Sequence, residues 1–135
     1  HTRAHLLRAL YEGVVFGHLN HIEKLREAGA QINGARLAGG GSRSAVWSQM
    51  FADTIQVPME VSDGNELGAR GVALAAGIGA GIYRDYTEAV QEAVKVVSIY
   101  EPNPANTPHY LARYNEYQRL VEVMQEPWDK LNELS

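Results

Sequence analysis

The sequence predicts a helix-rich α/β fold, and three observations lead there. Five stretches carry helical periodicity, against two short strand candidates at residues 32–38 and 57–61. The first strand candidate runs through three glycines straight into a helical pattern (residues 35–49, ARLAGGGSRSAVWSQ), the composition of a strand, a tight turn and a helix. Two short strands do not make a stable sheet alone, so partner strands are expected upstream of these 135 residues.

Residues 1–28 read as one long helix. Leu6, Leu7, Leu10, Val14, Leu19, Ile22 and Leu25 recur at threes and fours, as along a buried stripe. Ala4, Ala9, Gly13 and Gly17 leave room for close packing. Arg8 and Glu12 are spaced to pair, and Gly29 is a helix stop. His1 with His5 and His18 with His21 have helical spacing for a metal, but no third ligand accompanies either pair. They are read as surface or satisfied core histidines.

The glycine junction brings bare backbone N–H groups together beside a helix start, a setting for a nucleotide phosphate or an adenosine. The same glycines suit a plain strand-to-helix loop that needs them for geometry alone. The run is not a Walker A loop, since no Gly-Lys-Ser/Thr follows, nor a dinucleotide fingerprint, since Ser44 stands where the last glycine would. Ser42 or Ser44 caps the next helix, residues 44–55, whose apolar face is Val46, Trp47, Met50, Phe51 and Ile55. Trp47 is expected in the core, and Gln49 is placed to look toward the glycines.

Pro58 sits near the start of the second strand, where a missing N–H is tolerated. Ser62-Asp63-Gly64-Asn65 is a turn by composition. Glu66 then opens a helix over residues 66–81 with almost no side-chain bulk at Gly68, Ala69, Gly71, Ala73, Ala75, Ala76 and Gly77. Each glycine costs a helix about 1 kcal/mol relative to alanine, so close approach is expected, by another helix in preference to a ligand. Residues 86–97 form a further helix capped by Thr87, and residues 98–108, with three prolines, an irregular linker. A last helix over 109–134, breaking at Pro127, carries a packing stripe of Tyr110, Tyr114 and Tyr117.

Composition narrows the function. The net charge is -4 and the basic residues are scattered, which argues against a nucleic-acid partner. Without cysteine there is no disulfide, thiol nucleophile or cysteine metal site, in keeping with a reducing compartment. No run approaches the roughly 18 apolar residues of a membrane-spanning helix, and no signal peptide is visible. The chain opens with His1 inside a helical pattern and is expected to be a piece of a longer polypeptide.

Taken in order, these segments resemble the C-terminal domain of the FGGY carbohydrate kinases, a family that includes xylulose, ribulose and glycerol kinases. RALYEG (residues 8–13) resembles the family's Arg-Ala and Glu-Gly helix. LAGGGSRSAVWSQMFAD (residues 37–53) resembles its adenosine-binding turn and the helix that follows, and is the most specific match. Glu66 with its small-residue helix, and Tyr100-Glu101-Pro102 with the later tyrosines, resemble its closing segments. GGGSRS and Trp47-Ser48-Gln49 look closer to pentulose kinases than to glycerol kinase.

The resemblance implies a ribonuclease H-like domain of the actin and sugar-kinase class. Residues 1–135 would be the C-terminal portion of a nucleotide-binding domain in a two-domain chain. It further implies ATP with Mg2+ in the interdomain cleft and transfer of the γ-phosphoryl group to a hydroxyl of a ketopentose or related sugar or polyol. A cytoplasmic homodimer that binds neither nucleic acid nor membrane is the implied setting. Gly39, Gly40 and Gly41 would follow the phosphate–ribose path, Ser42, Arg43 and Ser44 would line the adenosine end, and Gln49 and Glu66 would support the loop. The family's sugar pocket, metal-binding carboxylates and catalytic aspartate lie outside this stretch. No catalytic residue or metal ligand is therefore expected here, and the chain alone would be inactive. A non-catalytic nucleotide-binding or regulatory domain of the same fold is the alternative. Gly41→Val is expected to weaken nucleotide binding and leave the fold largely intact.

Overall fold

A computed structural model describes residues 1–64 and 66–134. The first helix, α1 (Arg3–Glu27), starts at Thr2, whose N–H donates to Nδ1 of His5 at 3.0 Å. It ends where Gly29, at φ +92°, donates to the Arg26 carbonyl while Ala30 reaches back to Leu25. This double return satisfies the last carbonyls and needs a residue free to enter the left-handed region. Of the seven residues expected along one buried stripe, Leu19 is buried and Ile22 packs on the core, but Leu6, Leu7, Leu10, Val14 and Leu25 are exposed. The buried face is Val15, Phe16 and Leu19. Threes and fours in mixed order spread over more of the helix than the single face that meets its neighbours.

The chain then enters β1 (Ala35–Leu37), the tight 3-10 turn Gly40–Arg43, and α2 (Ala45–Ile55). Ser44 caps α2, accepting from the Trp47 N–H at 3.3 Å. The helix stops at Gln56, in the left-handed conformation, with Pro58 just beyond. Strand β2 (Met59–Ser62) lies parallel to β1, with Ala35 opposite Met59 and Leu37 opposite Val61.

Helices α3 (Leu67–Gly79) and α4 (Tyr86–Ala93) follow; Asn65, the last residue of the turn expected at 62–65, lies outside the described residues. The cap of α4 is Asp85, which accepts from the Glu88 N–H at 2.9 Å, and not Thr87. Another helix was expected to come close to the small residues of α3, but at Gly77 the missing Cβ leaves its place, at 3.0 Å, to Tyr83 of the segment that follows the helix, and Gly68, Gly71 and Gly79 face open space.

The main departure from the sequence reading is a third strand, β3 (Val96–Tyr100), where the end of a helix and a linker were expected. Val94-Lys95-Val96-Val97 is rich in β-branched residues. What makes it a strand is antiparallel pairing with β2, Met59 against Tyr100 and Val61 against Ser98. The sheet order is β1-β2-β3. The final helix is two, α5 (Thr107–Val123) and α6 (Gln125–Glu133), broken at Met124. Pro127 lies in the first turn of α6, where its missing N–H has no intrahelical partner to lose.

One core holds these elements together. Met59, with Ala35, Leu37 and Tyr100 beside it, packs on Phe51 and Ile55 of α2, and Val15, Phe16 and Leu19 of α1 close over them with Tyr110 and Tyr114 of α5. Buried Tyr114 donates to a carboxylate oxygen of Glu23 at 2.6 Å. The tyrosine stripe is thus the packing face it was expected to be.

Candidate functional site

Because β1 and β2 are parallel, the segments leaving their C-terminal ends emerge side by side. The glycine turn follows β1 and the Asp63–Gly64 turn follows β2. Between them lies a crevice of about 310 Å³, lined by Gly39, Ser42, Arg43, Asp63, Gly64 and Tyr100 among others. In open α/β sheets the space beyond the carboxyl ends of the strands is where ligands bind.

The glycine run divides its labour. Gly39 has φ +89° and open space where a Cβ would stand, so glycine serves the backbone conformation there. Its carbonyl accepts from Ser42, from the N–H at 3.2 Å and from Oγ at 2.8 Å, which closes the turn. The N–H groups of Gly40 and Gly41 have no acceptor among the described residues. A Cβ on Gly40 would meet only the Arg43 guanidinium, at 3.4 Å. A Cβ on Gly41 would strike the Trp47 indole, with Cε3 at 2.8 Å and Cζ3 closer still. Trp47 in turn lies flat on Tyr11, ring centres 4.8 Å apart, and its Nε1 donates to the Tyr11 carbonyl at 3.3 Å. Gly41 is therefore the seat of a tryptophan, and the expectation that Gly41→Val would leave the fold largely intact is corrected. Trp47 itself is half-buried at the edge of the core.

Of the residues singled out in the sequence, Gly39, Ser42 and Arg43 line the crevice, with Gly40 between them on the same turn. Ser44 is taken up in capping α2. Gln49 turns the other way: its Nε2 donates to Asp53 Oδ1 at 2.7 Å and to the Glu101 carbonyl at 2.8 Å. It braces the segment before α5 and does not look toward the glycines. Glu66, exposed at the N-cap of α3, makes no capping hydrogen bond and is not among the crevice residues.

Sequence reasoning missed the opposite wall. Asp63 Oδ1 accepts from Arg70 Nη1 at 2.7 Å and from the Lys95 N–H at 3.1 Å. The Arg70 guanidinium, and after it the Lys95 amide, holds this carboxyl below the usual aspartate range. With Asp63 paired and Arg43 exposed without an ion-pair partner among the described residues, the crevice does not repel an anion. An Asp-Gly turn at the end of a strand was the available signal. It pointed to a site only once the two strands were known to be parallel.

Against known families, the profile of the FGGY family of carbohydrate kinases, C-terminal domain, matches residues 1–80, which include the glycine turn and both parallel strands. The chain belongs to the FGGY family of carbohydrate kinases. It is 39% identical over 125 residues to the L-xylulose/3-keto-L-gulonate kinase of Escherichia coli K12, covering 93% of this chain and 25% of that protein. It is 40% identical over 124 residues to a probable L-xylulose kinase of Pasteurella multocida, covering 92% of this chain and 25% of the relative. The crystal structure of xylulose kinase from Rhodospirillum rubrum matches with TM-score 0.75 and 32% identity over 95% of this chain and 26% of that one. A ligand-bound xylulose kinase from Lactobacillus acidophilus, at 21% identity, shares the fold with TM-score 0.83 over 97% of this chain and 27% of its own. The fold is thus that of the FGGY sugar kinases, in the actin and ribonuclease H-like class. The chain spans about a quarter of the length of the curated relatives it matches. Among the described residues no helix is long and apolar enough to cross a membrane.

Proposed function

We propose that residues 1–135 are the C-terminal portion of the nucleotide-binding domain of an ATP-dependent sugar kinase. The acceptor we propose is a hydroxyl of a ketopentose or related polyol. The observation that carries the reading is the crevice beyond parallel β1 and β2, lined on one side by Gly39, Ser42 and Arg43 of the turn in which the Gly40 N–H is unengaged, and on the other by a charge-paired Asp63. The xylulose kinases among the relatives support the acceptor class.

The residues present fit a nucleotide. Only Arg43, a movable side chain, stands near the Cβ position of Gly40, so a ligand can approach that backbone closely. Bound ATP supplies the γ-phosphoryl group. The turn at Gly39–Gly41 would hold phosphate oxygens through backbone N–H groups, and Arg43 would add positive charge. Phosphoryl transfer leans on such positioning and charge neutralisation more than on covalent chemistry. The wall has only to keep the nucleotide aimed across the cleft, and closure over it would exclude water so that the sugar accepts the group. Among the described residues no three His, Asp or Glu side chains converge as a metal site. No Mg2+ ligand and no catalytic base is assigned to this chain, following the family resemblance.

Gly40→Val in the full-length protein tests the reading. A valine there removes close approach without disturbing the core, so the KM for ATP should rise about tenfold, the worth of one charge-assisted amide–phosphate hydrogen bond, while the melting temperature holds. ADP release should depend on adding a ketopentose. An unchanged KM for ATP in the variant, or no ADP release with any ketopentose or polyol, would overturn the proposal.

A further inference from the structure

His5, read from the sequence as a surface or satisfied core histidine, belongs to a second polar depression. About 550 Å³ in volume, it is formed where α1 meets the first turns of α5, and its lining is His5, Arg8, Asn106, His109, Tyr110 and Arg113. None of these residues lines the crevice beyond β1 and β2. In a chain of net charge -4, this lining contains two guanidiniums and two imidazoles and no carboxylate.

The two arginines are held in place from behind. Glu12, largely buried, uses a single oxygen, Oε1, to accept from Arg8 Nε at 2.8 Å and from Arg113 Nη1 at 2.8 Å. Arg8 Nη2 also donates to the Tyr110 hydroxyl at 3.0 Å, and its guanidinium lies 5.8 Å from the centre of that ring. These contacts fix the stems and leave donors over. Arg8 Nη1, Arg113 Nε and Nη2, and the ring of His109 have no partner among the described residues. One carboxylate is balanced against two guanidiniums, so one positive charge is uncompensated.

We infer that this depression binds a phosphate group, either inorganic phosphate or the phosphate of a small monoester. A carboxylate ligand would be matched by one arginine fork. The unengaged donors come from two arginines and at least one imidazole on two helices. They suit a tetrahedral dianion whose three or four oxygens can each accept, the geometry for which guanidinium is preferred over ammonium. The arginines need no rearrangement to serve, because Glu12 and Tyr110 already hold them.

The test uses the full-length protein and isothermal titration with inorganic phosphate at constant ionic strength, then with glycerol phosphate. Saturable binding is expected, weakened about tenfold by Arg113→Gln and about threefold by His109→Gln, with both variants melting like the parent. Arg113→Lys should fall between parent and Arg113→Gln, since it keeps the charge and loses the fork. Tighter binding of the ester would identify an organic phosphate as the ligand, and equal binding inorganic phosphate. Phosphate held elsewhere, the glycine turn included, would be indifferent to both substitutions. That indifference, or the absence of any saturable phosphate binding, would overturn the inference.

Discussion

Replacing Gly41 with alanine adds one methyl group and should be among the most damaging single changes in this chain. The methyl would be placed inside the Trp47 indole, with Cε3 at 2.8 Å, so the ring must move. Moving it forfeits the stack on Tyr11 at 4.8 Å, worth ~0.5–1.5 kcal/mol, and the Nε1 hydrogen bond to the Tyr11 carbonyl, worth about 1 kcal/mol. It also presses the ring toward Phe51, 5.8 Å away centre to centre, at an overpacking cost of ~1–3 kcal/mol. The terms overlap, and roughly 2–4 kcal/mol is the expected loss. In the full-length protein, thermal unfolding followed by near-ultraviolet circular dichroism should show a melting temperature lower by several degrees. Trp47→Leu in the same background should restore part of it, because the smaller side chain vacates the contested space, and the two substitutions should then be non-additive by about 1–2 kcal/mol. A Gly41→Ala protein that melts with the parent would refute the reasoning, because the indole could not then occupy that position.

Two further outcomes follow from buried or paired carboxylates. Asp53 is 1% exposed and accepts from Gln49 Nε2, the Asn103 N–H and Asn106 Nδ2 at 2.7–2.8 Å. Asp53→Asn would turn an amide against these donors, cost about 2–3 kcal/mol, and speed hydrogen exchange at residues 101–107; unchanged exchange there would exclude Asp53 as the anchor of α5. Asp63, lowered by Arg70 and then by the Lys95 amide, contributes stability that is fully present above the ordinary aspartate range and is lost as pH falls through its lowered value. A carboxyl-carbon NMR titration should place its midpoint below ordinary aspartates and return it toward them in Arg70→Gln; a midpoint that does not move would remove Arg70 as the cause.

The amino-acid order alone determined the elements whose signals are local. The strand–glycine turn–helix at 35–55 and the stop at Gly29 were legible because turn geometry and capping depend on residues a few positions apart. So was the family, because its most specific run, LAGGGSRSAVWSQMFAD, is contiguous. The tertiary structure decided what depends on partners distant in the chain. Strand β3 exists because β2 offers it an edge, and β2 lies 35 or more positions earlier for most of that pairing. Parallel β1 and β2 set the Ser62–Gly64 turn beside the glycines and so made Asp63 part of the crevice. The glycines themselves look alike in the sequence. Only packing separated Gly39, which serves a backbone angle, from Gly40, where only the Arg43 guanidinium stands near the missing Cβ, and Gly41, which makes room for an indole six residues on. The glycine spacing could not distinguish these roles, because each depends on what stands at the position of the absent side chain.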